Sequence, residues 1–176
     1  MDRNKVIQMA LNEVGYLEKS KSAYQNNPNV LNDKTEGAGS DNYTKYGLAM
    51  HKLYPNVMDF PAPWCDSFVD AMMVQAYGAS NAKEILCGNF DDYTVNSCRY
   101  YEKANRLDTI PQIGDQIFFT KNGKSSGCYH TGLVYNVDEN YVYTVEGNTS
   151  NTNSVVANGG CVAKKKYLLK QLIHQY

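Results

Sequence analysis

Pro61-Ala62-Pro63-Trp64-Cys65-Asp66-Ser67-Phe68-Val69-Asp70-Ala71-Met72-Met73-Val74-Gln75-Ala76-Tyr77-Gly78 joins a proline-punctuated loop and the only tryptophan of the chain to an apolar-periodic run. Prolines favour extended backbone and cannot continue a helix from upstream, so a helix is predicted to begin at or just after Trp64. Gly78 supplies its C-terminal stop. Phe68, Val69, Met72, Met73 and Ala76 recur on one helical stripe, whereas Asp66, Asp70 and Gln75 fall mostly outside it. The pattern predicts a helix with that stripe buried and Cys65 in the first turn. A cysteine there meets free backbone N–H groups and the positive end of the helix dipole, both of which favour thiolate. A small buried hydrophobe is the commoner fate of a free cysteine, so a catalytic reading requires a base elsewhere in the chain.

The 176 residues suit a single domain spanning 1–176, large enough to bury a core without staples. Formal net charge is -1, and the one basic run, Lys164-Lys165-Lys166, reads as the solvated end of a strand, so nucleic acid is not an expected partner. No segment approaches the ~18 consecutive apolar residues of a membrane span, so no membrane insertion is expected. The first residues lack the apolar core of a secretory signal. Five cysteines, at 65, 87, 98, 128 and 161, form no Cys-x-x-Cys pair and leave at least one thiol free; their pairing is open. Their spacing to histidines does not suit zinc.

Outward from the cysteine helix, residues 2–14 read as an amphipathic helix capped by Asp2 and stopped by Gly15. Residues 20–40 read as a long surface loop bordering a cleft. Asn32, Asp33, Glu36 and Asp41 lack the spacing of a calcium loop, so no metal is assigned. A helix over 41–54 with Asp41 as its cap, a short one over 79–87, and one over 93–104 capped by Asp91 or Asp92 complete the helical half. Beyond Ile110-Pro111-Gln112-Ile113-Gly114-Asp115 the chain turns to strands, at 116–120, 130–137 and 141–146, with one or two further strands from 161–169 and 171–176. Helices followed by an antiparallel sheet define an α+β fold.

The base comes from the hairpin. A three-residue loop at 138–140 places residue 137 opposite 141, and therefore His130 opposite Asn148 and Gly132 opposite Glu146. Opposed residues share a face, so His130, Glu146 and Asn148 project together, with Gly132 leaving room between them. A loop of two or four residues would break that parity. Cys65, His130 and Glu146 or Asn148 then meet the requirement of a cysteine nucleophile, a base and a group that orients the base. His51, in a polar helix segment, and His174, at the chain end, have no comparable partner and are read as bystanders.

Four ordered segments carry a family resemblance: Pro63-Trp64-Cys65-Asp66-Ser67-Phe68-Val69, Ile113-Gly114-Asp115-Gln116-Ile117-Phe118-Phe119, His130-Thr131-Gly132-Leu133-Val134 and Glu146-Gly147-Asn148-Thr149. Together they resemble the CHAP domains (cysteine, histidine-dependent amidohydrolase/peptidase) of the NlpC/P60 and papain-like group, with a recognisable core over about 41–176. The resemblance implies a papain-like fold with N-terminal helices on a C-terminal antiparallel sheet, and cleavage of an amide bond in peptidoglycan. It makes Cys65 the nucleophile, His130 the general base, Glu146 the orienting group and Asn148 an additional polar member of the site. Tyr46 and Trp64 are the candidates for holding substrate or the oxyanion, Tyr46 as a second donor beside the Cys65 N–H. No cofactor and no metal are implied, calcium included, and the partner is peptidoglycan, met by a monomer acting on the wall after export or phage release. The alternatives are an NlpC/P60-type γ-D-glutamyl peptidase, against which Glu146 in place of a third histidine argues, an inactive wall-binding module, and a transferase that uses the same acyl-enzyme.

Overall fold

The computed structural model describes residues 2–152 and 159–172. Six helices precede the sheet: α1 (Arg3–Asn12), α2 (Lys21–Asn26), α3 (Lys45–Leu53), α4 (Cys65–Tyr77), α5 (Ala79–Ile85) and α6 (Thr94–Lys103). Strands β1 (Gln116–Thr120), β2 (Cys128–Val137), β3 (Tyr141–Thr149) and β4 (Cys161–Leu168) then form an antiparallel sheet in sequence order, followed by the turn of helix α7 (Leu169–Leu172). The expected α+β order of helices and then sheet is observed. Of the one or two strands expected over 161–169 and 171–176, the first is β4; residues 171 and 172 belong to α7, and 173–176, His174 included, lie outside the described residues.

Helix α4 starts at Cys65, after Trp64, and ends at Gly78 with φ 81. It packs on α1, α3 and α5 on one side and on β2 and β3 on the other. Enclosed on both sides, it buries Asp66 and Asp70, which fall outside the apolar stripe, as fully as the stripe itself. Gly147 makes the contact with the sheet possible, because a Cβ there would lie 2.5 Å from the Phe68 Cβ and 2.9 Å from Trp64. Each buried Phe or Met of the stripe removes apolar surface worth roughly 1.5–3 kcal/mol from water.

Side-chain caps account for the remaining differences. Within the expected loop of 20–40, the Ser20 hydroxyl accepts from Ala23 N and starts α2, and the Asn27 side chain accepts from Asn29 N and starts a 3-10 turn over Pro28–Asn32. Thr44, rather than Asp41, caps α3, and Asp41 instead accepts from Lys21 N. Lys165 corrects the reading of the three lysines: its neighbours are exposed, but it points inward and donates to the Thr152 carbonyl.

The hairpin reaches its expected register by an unexpected route. Next to the loop Val137 lies opposite Val142 and Asn136 opposite Tyr143, one residue out of the predicted pairing. An irregularity at Tyr135 absorbs that residue, so Val134 faces Thr144 and Leu133 faces Val145, the pairing a three-residue loop would have produced. Toward the site the parity is therefore the predicted one.

Candidate active site

Two elements carry the expected nucleophile and base. Helix α4 presents Cys65 at its first position, and β2 presents His130, whose ring is fully buried. His130 Nε2 lies 2.9 Å from Glu146 Oε2 on β3. The other oxygen of Glu146 accepts from Thr144 Oγ1 at 2.6 Å and from the Tyr167 hydroxyl at 2.9 Å. Held from three sides with no exposure, this carboxylate fixes the imidazole plane and its tautomer. Gly132 leaves the space that the sequence required, since a Cβ there would approach Glu146 Cγ to 2.6 Å.

With Nε2 committed to Glu146, Nδ1 has no hydrogen-bond partner among the described residues and is the nitrogen left for Cys65. Burial alone would lower the basicity of His130, but hydrogen bonding and charge interaction with Cys65 and Glu146 outweigh it and push the ring pKa up to about 9. The pair is thus built to hold a proton on the ring beside a sulfur that can release one. Cys65 Sγ lies 3.6 Å from the Thr94 hydroxyl at the first position of α6, a contact with no signal in the sequence pattern because Thr94 reads there as an ordinary helix-start residue.

A buried polar frame locks these elements together. Asp66, next to the nucleophile, accepts from the Ser97 hydroxyl on α6 and from Gln116 Nε2 at 3.1 Å on β1. The same Gln116 nitrogen lies 3.1 Å from Thr131 Oγ1, one residue from His130. Burial pushes the Asp66 carboxyl up to about 7 against the lowering effect of these two donors, and burial with the nearby Asp66 charge pushes Asp70 upward as well. Asp66 is therefore a structural tie between the helix that carries Cys65 and strands β1 and β2, a role that its position outside the apolar stripe concealed.

The remaining expected site residues are placed differently. Asn148 is fully buried two residues beyond Glu146, with φ 53, and neither its Oδ1 nor its Nδ2 has a hydrogen-bond partner among the described residues. Trp64 directs its indole N–H to Glu18 Oε2 at 2.7 Å. Tyr46 stacks on Trp64, with ring centroids 5.6 Å apart, and donates its hydroxyl to Glu13 Oε2 at 2.5 Å. A phenol has one proton to donate. Tyr46 therefore does not supply a second oxyanion donor as placed, and Trp64 likewise offers no free N–H; both belong to the wall that supports Cys65. Glu13, Tyr16 and Glu18, from the segment after α1, complete that wall, and no motif singled them out.

Among the described residues, no cluster of three or more His, Cys, Asp or Glu side chains is arranged to hold a metal ion, and no helix is long and apolar enough to cross a membrane. A cavity of about 840 Å³ lies away from this site, lined in part by Tyr101, Phe118 and Ile110, and contains neither Cys65 nor His130.

Compared with known proteins, residues 57–148 match the family model described as CHAP domain, a span that runs from before Cys65 to Asn148. No curated protein and no solved structure gives a significant match.

Proposed function

Because the chain belongs to the CHAP domain family, we propose that it is a peptidoglycan hydrolase, cleaving an amide of the wall through a cysteine acyl-enzyme. The bond is either that between N-acetylmuramic acid and L-alanine or one within the stem or cross-bridge peptide. The observation that supports the reading most is the division of labour on His130: Nε2 is held by Glu146 and Nδ1 is left for Cys65.

His130 takes the thiol proton on Nδ1, and the Cys65 sulfur attacks the carbonyl carbon of the scissile amide. Negative charge gathers on the carbonyl oxygen as the tetrahedral intermediate forms. The backbone N–H of Cys65, at the N-terminus of α4, is a donor that the helix does not use internally and can receive that charge. The imidazolium then protonates the leaving nitrogen, the C–N bond breaks, and a thioester remains on Cys65. Water gives a proton to Nδ1, attacks the thioester, and releases the new carboxylic acid while the thiol is restored. Throughout, Glu146 stabilises the charged ring and Thr94 steadies the sulfur. The protein works on the wall, reached by export or by release from a lysing cell.

Mass spectrometry of peptidoglycan fragments after digestion tests this reading. A new carboxyl terminus paired with a new amine at one bond type is the expected result. A product in which the acyl group has moved to another amine would make the protein a transferase, and intact fragments bound to the protein would make it a wall-binding module.

A further inference from the structure

Cys65 contacts Thr94, Cys87 donates to the Ile85 carbonyl, Cys161 donates to the Thr149 carbonyl and Cys128 donates to the Lys124 carbonyl at 3.9 Å. Cys98 and Cys128 also meet each other. Cys98 lies on α6 and Cys128 opens β2, and the two share one buried cluster with Val95 and Phe118. The two thiols interact, each shifting the other's affinity for its proton. We propose that Cys98 and Cys128 are a redox pair that closes to a disulfide in an oxidising compartment, bolting α6 to the strand that carries His130.

The arrangement assigns the order of steps. The interaction with Cys128 lowers the Cys98 thiol below its ordinary value and raises that of Cys128, so Cys98 becomes the first thiolate. Cys98 also lines the cavity of about 840 Å³, whereas Cys128 does not, so a small oxidant reaches Cys98 first. The oxidant is a low-molecular-weight disulfide. The Cys98 thiolate attacks one of its sulfurs, the sulfur–sulfur bond breaks, and one small thiol leaves. Cys128 loses its proton and attacks the Cys98 sulfur of the mixed disulfide, displacing the second small thiol. The protein has lost two protons and two electrons, and the small disulfide has gained them.

The consequence follows from what the two elements carry. Thr94, one turn before Cys98, touches the nucleophile, Ser97 holds Asp66, and Cys128 precedes the base by two residues. The bond would close a loop between residues 98 and 128 and restrict the unfolded chain across the seam at which nucleophile and base meet.

The test equilibrates the whole wild-type chain in oxidised and in reduced glutathione buffers, alkylates free thiols, and maps them by mass spectrometry. The expected result is a fall from five alkylatable cysteines to three, with a linked peptide joining 98 to 128 and a thermal midpoint several degrees higher in the oxidised buffer. The double variant C98A/C128A is expected to lose that redox-dependent shift. Five labelled cysteines under oxidising conditions, or a linked pair other than 98 and 128, would overturn the proposal, as would a shift retained in the double variant. The map requires no wall substrate, so its outcome is separate from that of the hydrolase reading.

Discussion

His130 gives one nitrogen to Glu146 and leaves the other free for Cys65, and its pH behaviour follows from those two neighbours. Burial opposes the charged ring, yet Cys65 and Glu146 together raise its pKa to about 9. A base raised in the folded state contributes stability in full below its unfolded value near ~6.5 and loses it as pH rises through the folded value. The same titration removes the proton that the leaving amine needs, so activity on wall substrate is expected to decline as pH passes about 9. Glu146→Gln removes the charge that favours the imidazolium. It is expected to lower kcat by roughly 10²-fold or more and to move the alkaline limb of the kcat profile to lower pH. An alkaline limb that stays in place in the variant would remove Glu146 from the site. Thr144 and Tyr167, which hold the far oxygen of Glu146, could not be anticipated: their value depends on which oxygen faces where, and no spacing rule encodes that.

Among the elements, the β2–β3 hairpin shows both how much was legible and why the rest was not. Alternation placed His130 and Glu146 on one face, and the structure joins them. The route was hidden, because the offset at Val137 and Val142 and the compensating irregularity at Tyr135 cancel each other. Two offsets of one residue restore a parity that either alone would destroy. Gly132 was legible for a sounder reason, since only a residue without a side chain leaves space between the base and its acid. Gly132→Ala is expected to push Glu146 off the ring, lowering activity and costing about 1–3 kcal/mol of stability, measured by denaturant melts beside kinetics on the same preparation. Full activity in the alanine variant would mean that the carboxylate need not sit where it does. The start of α4 was equally plain from Pro61, Pro63 and Trp64, but its enclosure was not. A period of 3.6 reports one apolar stripe, whereas α4 is covered on both sides and uses buried acids as ties.

At the scale of the molecule, those acids set a pH dependence of stability. Asp66 and Asp70 are raised in the folded state, so the folded chain holds protons that the unfolded chain releases above about pH 4. Stability is therefore expected to fall as pH climbs from about 4 through about 7, the value to which burial pushes Asp66, and the raised His130 continues the decline toward about 9. Thermal midpoints across that range check the direction. Asp70→Asn, which cannot ionise, is expected to flatten the slope, and a midpoint that rises steadily from pH 4 to 7 in the wild type would contradict the account. The first forty residues matter at this scale as well. They read as an amphipathic helix and a loop, yet Glu13, Tyr16 and Glu18 brace Tyr46 and Trp64 beside Cys65 through contacts that no local pattern predicts.

The central claim is that Cys65 attacks an amide of the wall with His130 as its base. Purified peptidoglycan incubated with wild type and with Cys65→Ala, at matched fold by circular dichroism, measures it through the release of new amino groups. The account predicts release by wild type and none above background by the variant; equal release by both, or none by either, would contradict it.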